Sequence, residues 1–390
     1  MAPYKRKAKA KRGHTQVAPY KKRAMKDRII IGTRRSRLAR IQTEIVERAL
    51  REAFPGLEIV RREIVTRGDR DSRDCPAVGD CPVMPFETPG IFTREIETRL
   101  LAGDIDLAVH SFKDLPTQLP DGLRVAATPT RADPRDALVV ASSFVGGDPC
   151  VPPSSLSSSG KERSNTGPHM GGPLQELRRG AVVGTSSPRR SAQLLAIRPD
   201  LVIRDLRGNV DTRLAKLARG DYDAIVVAKA ALDRLSFSSS LVGGDACVPP
   251  LSAKRMNEEG PHVGGPLQEE ALDPDVMLPA PAQGALAVEC REGDVEVERL
   301  AGAIHDAATF VATSAERELL ARLGGGCRLA LGALAEVSPD GALRLRAAVL
   351  SRDGRRAVRA EARGRAESFA AVVEECRTRL LESGAGDLLK

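Results

Sequence analysis

Apolar residues in this chain follow two alternating periods. The stretch "IIIGTRRSRLARIQTEIVERALREAFPG" begins as an unbroken apolar strand and turns at Gly32-Thr33. It then places Leu38, Ile41, Ile45, Leu50 and Phe54 at helical spacing until Pro55-Gly56 stops the helix. The stretch "AVVGTSSPRRSAQLLAIRPDL" repeats the plan: an apolar strand, Gly184-Thr185, a polar and basic turn, then a helix. A second pair of echoes, "GDIDLAVHS" at 103–111 and "GDYDAIVVAKA" at 220–230, sets a Gly-Asp-x-Asp turn before an apolar strand. These echoes predict two related α/β lobes with mostly parallel sheets covered on both faces, and such folds bind ligands at the C-terminal ends of strands. From about residue 306 the pattern becomes a helix with Thr313 and Glu316 as its capping box, Leu319, Leu320 and Leu323 on one face, and Gly324 to Gly326 at its end. Two strand-like runs around Pro339-Asp340-Gly341 follow, which predicts a small α+β domain.

Two stretches interrupt this plan. Residues 145–176 and 242–269 share VGGD, CVPP, GPH and GGPLQE, and both are rich in Gly, Pro and Ser, so they are expected as surface loops built from one duplicated element. Each carries one Cys (Cys150, Cys247) and one His (His169, His262). Their spacing matches no zinc pattern, and an inert inserted repeat is the favoured reading over a shared metal site.

Composition narrows the class of protein. The chain has 390 residues, room for two or three domains. Seven cysteines without CxxC spacing form no disulfide framework, no apolar run is long enough to span a bilayer, and the N-terminus lacks a secretory apolar core. A cytoplasmic protein is expected. The net charge of +8 is misleading, because residues 1–28 hold eleven Lys/Arg against one Asp and leave the remainder at −2. This basic tail lacks apolar periodicity and is expected to be disordered. It reads either as a tether to an acidic partner or as a non-functional extension ahead of Met25. With no Trp and 3% aromatic residues, the body offers little for base stacking, which argues against nucleic acid.

The chemistry gathers at the turns. Backbone N–H groups at a strand-turn-helix junction are unpaired and favour anions. The first junction adds Thr33, Arg34, Arg35, Ser36 and Arg37, and the second adds Thr185, Ser186, Ser187, Arg189 and Arg190. A solvated helix start is the bland alternative, yet basic residues there oppose the helix dipole, and arginine suits bidentate gripping of carboxylates. Arg204, Arg207 and Arg213 add charge around Gly208-Asn209. Neither a Walker loop nor GxGxxG is present at these turns, which favours several separate carboxylates over a nucleotide. In "LAVHSFKDLPT" a strand delivers His110, Ser111, Lys113 and Asp114 to a loop closed by Pro116. Lys113 and Asp114 form either a surface pair or a proton-handling group facing a basic cleft. Cys327, directly after three glycines, reads either as a tolerated surface thiol or as an accessible covalent attachment point.

Together, "GTRRSRLARIQT", "VTRGD", "GDIDLAVHSFKDLPT", "VGTSSPRRSAQL", "LRGNVDTRLAKL", "YDAIVVAKAALDRL", "PAPAQGALAVECR" and "LGGGCRLALG" resemble, in order, the porphobilinogen deaminase (hydroxymethylbilane synthase) family over about residues 28–390, the two repeats excepted. The resemblance implies an enzyme that joins four porphobilinogen molecules head to tail and releases ammonia. It implies a dipyrromethane cofactor on Cys327 through a thioether, and Asp114 as the acidic residue that assists loss of the amino group and stabilises the cationic intermediates. Lys113, Thr185, Ser187, Arg189 and Arg190 match cofactor-contacting positions. Arg34, Ser36, Arg207, Arg213 and Arg234 match positions that handle acetate and propionate groups. The implied fold is α/β, with two periplasmic-binding-protein-like lobes and a C-terminal α+β domain carrying the cysteine. Residues 1–27 are then a tail, 28–129 with 285–302 lobe 1, 134–280 lobe 2, and 306–390 the third domain. The family is usually monomeric, and its product allows hand-over to the next enzyme of tetrapyrrole synthesis. Two departures stand out besides the tail: the repeats, expected to be dispensable, and Thr88-Pro89-Gly90 where the family usually has a Gly-Gly-Lys-Gly loop. The rival expectation is a non-catalytic bilobed module that closes on an anionic small molecule.

Overall fold

A computed structural model of the chain describes residues 26–66, 93–141, 172–241, 267–325 and 329–389. The first sheet has the order β2-β1-β3-β10-β4, with β1 (Arg28–Arg34), β2 (Glu58–Ile64), β3 (Leu107–Ser111), β4 (Leu123–Ala127) and β10 (Leu286–Arg291). The second has the order β7-β6-β8-β5-β9, with β5 (Asp136–Ala141), β6 (Val182–Gly184), β7 (Val202–Arg204), β8 (Ala224–Ala228) and β9 (Leu267–Ala271). In both, the second strand pairs in parallel with its two neighbours and the fourth strand runs antiparallel between the third and the fifth. The two sheets are the same topology built twice, each closed by a strand arriving from the other lobe.

The duplication extends to single atoms. Asp106 and Asp223, the last residues of the two Gly-Asp-x-Asp turns, each clamp the second strand of their sheet: Ile30 N donates to Asp106 Oδ2 at 2.8 Å and Val182 N to Asp223 Oδ2 at 2.6 Å. Gly103 and Gly220 end the preceding helices with φ of +76° and +83°, a conformation costly for any residue with a Cβ. Gly32 and Gly184 are equivalent too. A Cβ on Gly32 would lie 2.4 Å from the Ile105 side chain and one on Gly184 2.7 Å from Tyr222, which are the third residues of those same turns.

Helices α1 (Arg37–Ala53), α2 (Arg94–Leu101) and α7 (Val295–Gly302) cover the first sheet. A one-turn α3 (Pro173–Glu176), α4 (Pro188–Ile197), α5 (Val210–Ala218) and α6 (Lys229–Leu241) accompany the second. Ile29, Ile31, Leu107 and Val288 are fully buried on one side of the first sheet, and Ile96, Leu100 and Ile105 on the other. Each such side chain contributes about 1.5–3 kcal/mol relative to exposure. On α1 the buried stripe runs through Ala39, Ile41, Val46 and Leu50, while Ile45, expected on the inner face, is 37% exposed. The repeats also differ from expectation at their ends. The identical PLQE tails are not loops: one forms α3 and the other opens β9, because Leu267 finds Ala141 as its antiparallel partner. The rest of the repeats, with Cys150, His169, Cys247 and His262, lies outside the described residues, as do the tail before Lys26 and Thr88-Pro89-Gly90.

The third sheet, β11 (Leu331–Val337), β12 (Ala342–Leu350) and β13 (Ala357–Arg365), is an antiparallel meander packed on α8 (Ala307–Arg322) and α9 (Phe369–Glu382). Helix α8 starts earlier than its sequence signal. Asp306 caps it by accepting from Thr309 N at 2.7 Å, and Thr313 sits mid-helix with its hydroxyl donating back to Thr309 O. Glu316 is fully buried and takes no part in capping. It accepts two hydrogen bonds from Arg131, at 2.7 and 3.0 Å, and one each from Ala282 N and Ala335 N. One carboxylate thereby ties both lobe-to-lobe crossings to the C-terminal domain. The crossings also touch directly: a Cβ on Gly284 would lie 2.5 Å from Ala132 O, and Ala132 N donates to Gly284 O.

Candidate functional site

The site lies where the C-terminal ends of β3 and β6 face one another between the lobes. On the lobe 2 side, Ser187 caps α4 and Pro188 takes its first position, which suits a residue without an N–H. Arg189 and Arg190 follow and turn inward. Both are buried and share Asp136, the first residue of β5: Arg189 Nη1 donates to Oδ2 at 2.5 Å, and Arg190 Nη2 and Nε donate to Oδ1 at 2.7 and 2.9 Å. Burial alone would raise the Asp136 carboxyl, but the two guanidiniums outweigh it and hold the group well below the usual range. Two cations against one anion leave this buried cluster positive.

Lobe 1 supplies the opposite wall. After β3, a single 3₁₀ turn (Phe112–Asp114) leaves Asp114 exposed and Lys113 half-buried. Lys113 Nζ donates to Gln283 Oε1 at 3.1 Å, and Gln283 Nε2 donates in turn to Asp136 Oδ1 at 3.0 Å. Burial pushes the Lys113 amine down to about 8; Asp114 and Asp136 oppose the shift, while Arg189 and Arg190 add to it. The charge of Asp114 acts on Lys113, Arg190 and Arg213, so it meets groups of both lobes. His110 does not join the loop. It is buried within β3, with Nε2 3.1 Å from Glu289 Oε2 on β10.

The remaining expected residues divide. Arg213 is half-buried, donates from Nε to Gly208 O at 2.8 Å, and is pushed down to about 10 by burial, still charged at neutral pH. Arg207 is half-exposed in the segment before α5. Arg34 and Ser36 lie on the lobe 1 rim, where Ser36 caps α1 by accepting from Ala39 N at 3.3 Å. Thr33 is no part of an open cradle, because it is fully buried and accepts from Thr43 Oγ1. Thr185 is buried as well and accepts from Ser187 N at 3.2 Å. Arg234 stands apart at the crossing, where Nη2 donates to Gly284 O at 2.8 Å. Cys327 lies outside the described residues; the described part of its segment ends at Gly325, after Gly324 turns left-handed at φ +70° and closes α8.

Three site residues had no motif in the sequence. Asp136 was announced only by a lone acid opening an otherwise apolar strand, "DALVVA". Gln283 lay unremarked between the prolines and glycine of the second crossing. Arg317, on α8, donates from Nη1 to Phe112 O and Leu115 O at 3.2 and 2.9 Å and from Nη2 to Pro116 O at 2.5 Å, with its guanidinium 4.5 Å from the centre of the Phe112 ring. The helix that leads to Cys327 thus grips the loop that carries Asp114.

The arrangement fits a multiply anionic group. Two guanidiniums sharing one carboxylate, a lysine whose proton is weakened by burial and then by those guanidiniums, and Arg213 make a surplus of positive charge behind an exposed carboxylate. Among the described residues no cluster could hold a metal ion, and no helix is long and apolar enough to cross a membrane. Cys290 and Cys376 are buried thiols that burial pushes up to about 12, unsuited to nucleophilic work. A charged depression of about 410 Å³ on lobe 1, lined by Glu44, Glu47, Arg48, Arg51, Glu52 and Arg61, contains none of the site residues.

Comparison with known proteins identifies the family of the chain. Residues 29–299 match the family model described as porphobilinogen deaminase, dipyromethane cofactor binding domain, and residues 310–382 match porphobilinogen deaminase, C-terminal domain. A porphobilinogen deaminase of Thermus thermophilus is 40% identical over 361 residues, covering 93% of this chain and 98% of that protein. One from a Roseiflexus species is 41% identical over 365 residues, covering 94% and 99%. Among solved structures, an ancestral arginine-binding protein bound to arginine aligns at 11% identity and a TM-score of 0.31, covering 77% of this chain and 95% of that one.

Proposed function

The chain belongs to the porphobilinogen deaminase family, and from that premise we propose how its residues divide the work. The activity is head-to-tail condensation of four porphobilinogen molecules into hydroxymethylbilane with release of ammonia, which sets aside a non-catalytic binding module. The dipyrromethane cofactor, when bound, supplies the pyrrole carbon to which the first substrate is joined. Cys327 anchors that cofactor through its sulfur.

Asp114 is the catalytic carboxylate. It handles the proton at the departing amino group, and its charge stabilises the cation formed as ammonia leaves. Its exposed position in a wall of arginines gives it access to substrate, and its charge acts on Lys113, Arg190 and Arg213. Lys113, Thr185, Ser187, Arg189 and Arg190 hold the cofactor's carboxylates. The two buried arginines act as a fixed positive floor, oriented by Asp136, and Lys113 and the α4 N-terminus make the direct contacts. Arg34, Ser36, Arg207 and Arg213 take the acetate and propionate groups of incoming substrate, and Arg234 supports them from the crossing. The division into lobes 28–129 with 285–302 and 134–280, a domain 306–390, and a cytoplasmic monomer complete the reading.

The observation that carries it is the meeting of Asp114 from one lobe with Arg190 and Arg213 from the other. Turnover of porphobilinogen by the cofactor-loaded protein tests it: Asp114→Asn is expected to lower kcat by about 10²–10⁴, the range for a general acid-base group. A variant within threefold of the parent removes Asp114 from the chemistry.

A further inference from the structure

Across the cleft, the first residue of α1 faces the second residue of α5. Arg37 Nη1 lies 3.7 Å from Asp211 Oδ1, with side chains 28% and 32% exposed. The pair spans the two lobes, three positions from Arg34 on one side and two from Arg213 on the other. At that distance the contact is an ion pair without a hydrogen bond. The Asp211 oxygen that faces Arg37 is buried and accepts no hydrogen bond among the described residues. A carboxylate oxygen removed from water with a long ion pair and no hydrogen bond is incompletely compensated. Burial accordingly raises the Asp211 pKa, with Arg37 only partly opposing it. By contrast, Asp136 in the same cleft accepts five hydrogen bonds from Arg189, Arg190 and Gln283. The chain therefore keeps two kinds of internal carboxylate beside its arginines, one firmly held and one loosely.

We propose that Asp211 is a placeholder: it holds Arg37 across the cleft until a carboxylate of the growing pyrrole chain replaces it. Arg37 is then a further carboxylate-binding residue for substrate, and Asp211 sets how strongly an incoming acid must compete for it. The exchange breaks one loose ion pair and makes a hydrogen-bonded one, while Asp211, a third exposed, turns to water. A carboxylate on a ring already joined to the primer is held nearby at high effective concentration, so it displaces Asp211 more readily than a free acid does.

This inference rests on the reading of the cleft as a porphobilinogen-condensing site. Steady-state kinetics of the cofactor-loaded full chain carrying Asp211→Asn, Arg37→Gln or both provide the test. Asp211→Asn is expected to lower KM for porphobilinogen about two- to fivefold, the range that a part-exposed ion pair supports, and Arg37→Gln to raise it. In the Arg37→Gln background, Asp211→Asn should change nothing, because the competitor has lost its target. An unchanged or raised KM in Asp211→Asn, an unchanged KM in Arg37→Gln, or additive effects in the double variant would overturn the placeholder. A parent protein that carries its primer yet fails to consume porphobilinogen would overturn the underlying reading instead.

Discussion

After β1 the helix cap is Ser36, with Arg34 and Arg35 before it; after β6 the cap is Ser187, with Arg189 and Arg190 after it. Both junctions contain a Gly-Thr turn, a serine cap and adjacent arginines, and both lie on sheets of identical topology. Arginines ahead of the cap belong to the strand end and stay half-exposed or exposed at the rim. Arginines at the second and third helical positions point back over the sheet and become buried. Burial demands a counterion, and Asp136 provides it from a strand that enters lobe 2 through the crossing. Similar local sequences thus yield an adjustable, wet grip in lobe 1 and a rigid, dry floor in lobe 2. A growing chain of carboxylates needs both.

Removing the counterion at each junction gives the largest contrast. Asp136→Asn leaves two buried guanidiniums without an anion and is expected to cost about 3–5 kcal/mol in urea unfolding. Glu63→Gln, which removes the half-exposed partner 3.8 Å from both Arg35 and Arg40, is expected to cost under about 1 kcal/mol. Comparable losses would erase the distinction between floor and grip.

Next in size is Arg317→Ala. It frees the 112–116 loop from three carbonyl contacts and is expected to lower kcat roughly tenfold through misplacement of Asp114. KM and the unfolding midpoint should move much less. A change in stability alone would make Arg317 a strut of the domain interface with no part in aligning the loop.

The smallest effect is a shift with pH. The Lys113 amine, at about 8 in the folded protein, lies below its unfolded value near 10.4. Between those values the unfolded chain binds more protons, so this group's contribution to stability rises with pH. Its positive charge in the cleft is lost over the same interval. Activity should therefore fall above about pH 8, and Lys113→Arg should carry that limb upward. An alkaline limb that ignores the substitution would remove Lys113 from carboxylate binding.

Much of this was legible beforehand, for identifiable reasons. The doubled lobes showed in the Gly-Thr and Gly-Asp-x-Asp echoes, because the glycines and aspartates there have strict local jobs: a left-handed turn, a close approach and a strand clamp. Asp114 and its arginine wall followed from strand ends. What stayed hidden were long-range pairings. Nothing within Thr313–Glu316 signals that Glu316 reaches Arg131 and Ala282, so a local capping pattern suggested a helix start where the chain is mid-helix. His110 looked like a loop residue because its partner Glu289 lies 179 positions away. The PLQE tails show the same limit: identical words become helix or strand according to the neighbour that pairs with them.

The central claim is that this cleft surrounds a primer anchored on Cys327. The intact mass of the purified full chain, beside that of Cys327→Ser, tests it most directly. The parent is expected to exceed its sequence mass by two condensed pyrrole units or to acquire them on incubation with porphobilinogen, and the variant to match its own sequence mass. A variant that carries the same excess, or a parent that stays unmodified after incubation, would contradict the account.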